Sequence, residues 1–382
     1  MKIALFTDTY TPQINGVAKT LEKYTQYMKK QKLNYRVFAP GNDDNNYDDN
    51  IKRFLGIKFL LYPQLKVPLP NYFSIVKELN NFKPDIIHVA TPFSIGLCGL
   101  KYSKSYNVPL VSSFHTNFHQ YVNYFNMNFL YNIVWNYLLW FHNNCLINFC
   151  PSNSTMNLLK EKGFSNLKIW DRGIDKGIYN PKFRNNNYRN KLGVNDKTVF
   201  LYVGRLSPEK DIDILISTIK RLNINYMDKI HFLIVGDGPF YKSLKKNEFP
   251  NVTLTGFKKG KELSTIYASS DIFLFPSSSE TFGNVILEAM ASGLPVIACK
   301  NAGVIDKNLI KSSLITCKPR NGNDFFNASE LLLNHKEYRD FLISKGLNYI
   351  SSKSWDNVFS SLIDNYSTIL DHDALNICKK AV

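Results

Sequence analysis

Two carboxylates, Glu280 and Glu288, stand eight residues apart in the stretch IFLFPSSSETFGNVILEAMASGLPVIA, residues 272–298. Its first four residues are apolar, and Pro276 with three serines ends that run, as happens where a buried strand passes into a surface loop. From Gly283 the period turns helical, with Val285, Ile286, Ala289 and Met290 on one side. Gly293 and Pro295 stop the helix, and Val296, Ile297 and Ala298 open another strand. The first turn of such a helix carries main-chain N–H groups without intrahelical partners, and its dipole favours an anion. A diphosphate fits there. Glu280, just before the turn, faces whatever hangs from the phosphates on one side, and Glu288 faces hydroxyls on the other. A nucleotide sugar has that layout. The residue types alone leave a second reading open, an acidic N-terminal turn followed by a solvated helix face.

Other reactive residues follow strands in the same way. Arg205 and Lys210, in GRLSPEK, come after an apolar run from Thr198 to Val203 and before a helix, where two cations would neutralise a diphosphate leaving group. Surface salt bridging is the alternative for them. Asp211 and Asp213 spell the D-x-D of metal-dependent sugar transfer, but with Ile212, Ile214 and Leu215 around them they read as acids in the first turn of a helix, held by its dipole. His115, in SFHTNFH, falls just past a strand from Val108 to Ser113, where a ligand-contacting or catalytic side chain would lie. A structural histidine is the other reading. A metal pair with His119 lacks a third ligand nearby. Gly16, between the strand Ile3 to Phe6 and a helix from about Val17 to Lys30, would let the backbone approach a phosphate or sugar.

The elements that position these residues alternate. Strands at Tyr35 to Ala39 and Asp85 to Val89 have helices between them, and after Thr198 to Val203 come strands at His231 to Val235 and Val252 to Gly256. Strand and helix alternating at this spacing imply an α/β protein with parallel, doubly wound sheets whose ligands sit at the carboxyl ends of the strands. The polar run KFRNNNYRNK, residues 182–191, reads as a surface linker. A helical stripe from Phe129 to Phe141 carries Trp135 and Trp140. Most such helices pack on their own sheet, and the alternative is a face that dips into a membrane. The tail from Ser354 to Leu370 is helical.

At 382 residues the chain exceeds what one core usually supports, so two domains are expected. A net charge of +16 favours an anionic partner, namely phosphate, an acidic lipid surface or nucleic acid. Residues 1–178 hold 20 Lys and Arg against 11 Asp and Glu, so the excess is spread out and no basic block marks a nucleic-acid face. The abundance of Lys, Asn and Ile is also what a biased genome composition would produce. Six cysteines without a C-x-x-C imply reduced thiols in a cytoplasmic protein, and no apolar run reaches the length of a spanning helix. The start, MKIALFTDTY, is too short and too polar for a signal peptide. The expectation is a protein that is soluble, or peripheral on the inner face of the cell membrane.

Glu280 and Glu288 with Phe282, Gly283, Asn284 and the closing AMASGLPV together resemble the donor-site signature of retaining family-four (group 1) glycosyltransferases of the GT-B fold. GRLSPEKD is similar to that family's phosphate loop, DTYTPQINGVAKT to its first loop, FHTNFHQY to its N-domain histidine loop, and RGID with Pro181 to its domain crossing. The likeness covers nearly the full length, and within the family extends to bacterial GDP-mannose-dependent alpha-mannosyltransferases and to sulfoquinovosyl- and glucosyl-lipid synthases. It implies two Rossmann-like domains facing a central cleft, an acceptor-side domain at 1–178 and a donor-binding domain at 179–353. The helix of 354–382 would pack back on the first domain.

The resemblance also assigns roles. His115, Glu280, Arg205 and Lys210 would be catalytic, and Gly16, Gly236, Phe257, Phe282, Gly283, Asn284, Val285 and Glu288 would bind the donor. Asn301 and Ala302 before a single Gly303 depart from the usual glycine pair, which touches the shape of the sugar pocket and not the donor class. The implied activity is transfer of mannose or glucose from a GDP- or UDP-sugar to a lipid or glycan, with an anionic membrane surface and no nucleic acid among the partners, and no cofactor or metal. Neither glutamate is placed to attack the anomeric carbon, so a front-side mechanism is expected, in which the leaving phosphate takes the acceptor proton. A small soluble acceptor is the alternative within the class. Outside it, a dinucleotide oxidoreductase would need a G-x-G-x-x-G that is absent. A non-catalytic nucleotide-binding relative would be expected to lose Glu280, Arg205 or Lys210.

Overall fold

Strands of a parallel sheet covered on both faces need continuous apolar runs, and the central strands here are of that kind. The computed structural model describes all residues except 14, 42–47, 60–61, 116–130, 247–248, 280–282, 301, 303–312 and 381–382, with backbone alone for 58–59, 62–67 and 372–380. Two compact units emerge, one comprising Met1–Asp171 with Asp356–Val382, the other Arg172–Trp355.

In the first unit the strands are β1 (Lys2–Phe6), β2 (Asn34–Pro40), β3 (Ile51–Phe54), β4 (Gly56–Phe59), β5 (Tyr62–Pro68), β6 (Ile86–Val89), β7 (Leu110–Ser113), β8 (Ile147–Cys150) and β9 (Leu167–Ile169). Seven form a sheet in the order β3-β2-β1-β6-β7-β8-β9, every neighbouring pair parallel, while β4 and β5 make a separate antiparallel hairpin. Helix Gly16–Lys30 shows why these segments cover the sheet. Asn15 caps it by accepting from the Ala18 N–H, Lys29 and Lys30 suit the negative end, and Val17, Leu21, Tyr24 and Met28 recur on the buried face. Helix Trp355–Lys380, which from Asp356 onward belongs to this unit, contributes Tyr366. Its hydroxyl lies 2.5 Å from His88 Nδ1 inside the core.

The second unit has the order β12-β11-β10-β13-β14-β15, again parallel throughout. Its strands are β10 (Thr198–Val203), β11 (Ile230–Val235), β12 (Val252–Gly256), β13 (Ile272–Phe275), β14 (Val296–Cys299) and β15 (Ile315–Cys317). Phe200 on β10 stacks on Phe232 of β11 with ring centroids 5.1 Å apart, and both are buried. Strand order reverses between β1 and β6 in one sheet and between β10 and β13 in the other. Those are the two places where doubly wound sheets open a crevice for ligands.

Two expectations are corrected. The run KFRNNNYRNK is no loose linker but a fixed edge of the second unit. Arg189, on helix Asn186–Lys191, is buried, donating to the Ser269, Val194 and Lys197 carbonyls and pairing with Asp271 at 2.9 Å, and Arg184 meets the same carboxylate. Polar composition hid this because a guanidinium with all its donors satisfied can be buried. Within helix Tyr131–His142, Trp135 faces inward and packs edge-on against Phe164, while Trp140 is half-exposed, so the two tryptophans share no outward stripe.

Candidate active site at the strand ends

The crevice of the second sheet is built by loops lying close together. Leaving β10, the chain passes through Gly204, whose N–H donates to the Val235 carbonyl at 3.0 Å. Gly236, at the end of β11, has φ +144°, and a Cβ there would sit 1.9 Å from the Gly204 carbonyl oxygen. Only glycine fits such an approach.

Beyond Gly204, Arg205 reaches Glu209 at 3.6 Å with part of its side chain in solvent, and Ser207 Oγ donates to the same carboxylate at 2.5 Å. A turn of 3-10 helix, Pro208–Lys210, carries Lys210 and ends at Asp211, which sits in the left-handed region at φ +50°. This corrects the reading of Asp211 as a first-turn acid held by the dipole. Asp211 stands just outside helix Ile212–Tyr226, and only Asp213 lies in its first turn. The Asp211 carboxylate, 2% exposed, instead crosses the switch point to accept from Ser278 N at 2.8 Å, Ser278 Oγ at 2.6 Å and Arg320 Nε at 3.3 Å. Ser279 Oγ donates to the Glu209 carbonyl as a second cross-link. The loops after β10 and β13 are therefore laced together. No motif marks Asp211 as the lace; its place directly after Lys210 is the signal that could have found it.

Helix Asn284–Ala291 follows the second of these loops. Gly283 precedes it at φ +59°, and among the described residues no side chain caps its first turn. Asn284 Oδ1 is buried and has no hydrogen-bond partner among the described residues. Val285 is half-buried. Glu288, one turn further along the same helical face, is 5% exposed and accepts from the Tyr267 hydroxyl at 3.1 Å, which rules out the solvated-face reading for this residue. Glu280 and Phe282 lie outside the described residues, as do His119, Asn301 and Gly303. Phe257, just past β12, is 52% exposed, with Lys258 beside it paired to Glu262.

The two first-unit residues singled out from sequence occupy different strand ends. His115 lies beyond β7, buried, with its ring 4.9 Å from that of Trp170. Gly16 is the first residue of helix Gly16–Lys30, after the β1 loop, and its carbonyl accepts from Thr20 Oγ1. In that loop Asp8 accepts from Thr91 Oγ1 at 2.9 Å, Phe93 N at 3.1 Å, Ser94 Oγ at 3.0 Å and Ile95 N at 2.8 Å. Burial pushes the Asp8 carboxyl above the usual carboxylate range despite these four bonds.

Residues 14–177 match the model described as Glycosyltransferase Family 4, and residues 184–348 match Glycosyl transferases group 1. The chain is a family-four, group 1 glycosyltransferase. It is 27% identical to a GDP-mannose-dependent alpha-mannosyltransferase of Corynebacterium glutamicum, over 97% of this chain and 89% of that protein. It is 28% identical to the alpha-monoglucosyldiacylglycerol synthase of Streptococcus pneumoniae, over 93% and 83%. Among solved structures, sucrose-phosphate synthase from Thermosynechococcus elongatus superposes with a TM-score of 0.78 at 16% identity, covering 97% of this chain and all of that one. The shared architecture is GT-B. Among the described residues of this glycosyltransferase no helix is long and apolar enough to cross a membrane.

Proposed function

We propose that this glycosyltransferase moves a hexose, mannose or glucose, from a GDP- or UDP-sugar to a lipid or glycan acceptor, with retention of the anomeric configuration and without a metal. The observation that carries the donor half is the lacing of the β10 and β13 loops. It holds the backbone of Arg205 and Lys210 beside the segment that leads into the uncapped helix start at Gly283 and Asn284. Two cations and free main-chain N–H groups are what a departing nucleoside diphosphate needs. In this reading the acceptor oxygen bonds to the anomeric carbon on the face from which the phosphate leaves, and the acceptor proton goes to that phosphate. Glu280 orients the sugar, His115 supports the oxocarbenium-like centre, and Phe257 lies against the base. The mannosyl and glucosyl-lipid relatives support a hexose donor and a lipid acceptor.

An anionic membrane surface is the proposed setting. Leu55, Ile57, Leu69 and Phe73 are strongly exposed in the first unit, Leu69 N bonds to the Leu55 carbonyl, and Lys101 lies over the Tyr72 ring. Apolar side chains beside lysines suit a bilayer headgroup region. Calorimetric titration with GDP and UDP, then single-turnover transfer from GDP-mannose and UDP-glucose to vesicles of diacylglycerol with anionic lipid, tests the whole reading. One nucleotide should bind, transfer should persist in chelator, and the product should keep the α-anomer. No nucleotide binding, an inverted product, or equal transfer to neutral and anionic vesicles at low salt each refutes its own part.

A further inference from the structure

Glu288 is a charge in a nearly closed place, and two phenols account for it. Tyr267, on helix Gly260–Ala268, is fully buried and donates to Glu288 Oε2 at 3.1 Å. Tyr179, in the segment before Pro181, is also buried, and its hydroxyl bonds to the same carboxylate. The two rings meet edge to face, with centroids 5.6 Å apart and planes at 87°. Both rings are fixed in turn. Tyr179 N donates to the Asp175 carbonyl at 2.9 Å, and Tyr267 packs against Phe273 of β13.

We propose that Tyr179 and Tyr267 are positioning residues for Glu288, a two-hydroxyl clamp that turns its carboxylate towards the ribose hydroxyls of the donor. The proposal rests on the reading of Glu288 as a donor-binding acid and extends it to the residues that aim it. A carboxylate accepts along several directions. Two phenol donors fixed by packing leave its other lone pairs pointing one way, so the diol meets a pre-set acceptor and little side-chain freedom is lost on binding. Burial, and after it the charge of Glu288, holds both phenols well above their usual range, so they remain donors at every pH the protein tolerates. Apolar residues in these two places would take two donors from a buried carboxylate, a change that folding disfavours.

The test uses Tyr179→Phe, Tyr267→Phe, the double variant and Glu288→Ala, each titrated with GDP and UDP and with their 2′,3′-dideoxy analogues. Thermal melting and near-ultraviolet circular dichroism establish that each variant is folded. Wild type should prefer the ribonucleotide, and the double tyrosine variant should lose about tenfold of that preference, the scale of one charged hydrogen bond. Its affinity for the dideoxy analogue should be unchanged. Glu288→Ala leaving the preference intact overturns the assignment of Glu288 to the ribose. Glu288→Ala removing the preference while the double variant keeps it overturns the clamp alone. So does a double variant that weakens ribonucleotide and dideoxy analogue equally, since that marks a role in packing only.

Discussion

At the switch point of each sheet one aspartate crosses from the loop after the first strand to the loop after its neighbour, Asp8 from β1 to β6 and Asp211 from β10 to β13. The surroundings differ. Among the described residues Asp8 meets only neutral donors, two of them main-chain N–H groups at the start of helix Ser94–Tyr106, whose own N-cap residue Phe93 cannot cap it. Asp211 shares its charge between Ser278 and a guanidinium, Arg320, that is two-thirds exposed, and it adjoins Lys210. One carboxylate finishes a helix; the other ties two loops beside a cationic place. The same topological position thus serves structure in one unit and the proposed donor site in the other.

The largest effect expected from that contrast is on stability. Asp8→Ala strands three donors at a helix start, Thr91 Oγ1, Phe93 N and Ile95 N, since Ser94 Oγ keeps the Pro68 carbonyl, and should cost on the order of 3 to 5 kcal/mol, read from denaturant unfolding, with GDP or UDP affinity of the remaining folded protein nearly unchanged. Asp211→Ala should cost less in stability and more in affinity. The reverse pattern breaks the comparison.

Acid should sharpen it. Burial pushes His88 down to about 3 and His142 down to about 4, both fully enclosed in the first unit, against His231 alone, at about 4, in the second. A depressed imidazole contributes stability above the unfolded value near 6.5 that is lost as pH falls, so each enclosed histidine should cost about 2 kcal/mol between pH 7.5 and pH 5. Asp8 acts in the opposite sense. Its raised carboxyl favours the fold most at low pH, and that contribution fades as pH rises through its folded value. Hydrogen exchange at the two pH values should show β6, β7 and β8 opening before β11. Simultaneous opening would mean that the buried histidines do not set acid sensitivity.

The smallest effect belongs to Arg320→Ala. The guanidinium is two-thirds exposed and the buried Asp211 keeps both Ser278 donors, so the loss should be about 1 kcal/mol and melting should barely move. A loss comparable to that of Asp8→Ala would erase the distinction between the two crevices.

Legibility followed the same division. The carboxyl ends of β10, β12 and β13 can be read to the residue because Gly204, Gly256 and Pro276 stop them. Asp211 could not be read, since its partners Ser278 and Arg320 lie 67 and 109 residues away and no local period reports such a bond. The buried Arg189 failed for the same reason, its polar neighbours imitating a loop. The hairpin of β4 and β5 escaped because β4 has only four residues and the seven of β5 include two prolines, which argue against a strand. Glu288 was legible as a carboxylate near a phosphate site, yet the phenols that enclose it come from 109 residues before and 21 residues before, and only folding brings them there.

The bond between His88 and Tyr366 spans 278 residues of chain. On a ribosome adding roughly 5 to 20 residues per second, His88 waits roughly 15 to 55 s before the phenol that completes its surroundings has been polymerised. Every residue of the second unit, Arg172–Trp355, has by then been polymerised. Nascent chains of this enzyme therefore invert the customary order of maturation. The part made first is finished last, and until then His88 has Ser113 Oγ as a partner but lacks the phenol on its other ring nitrogen.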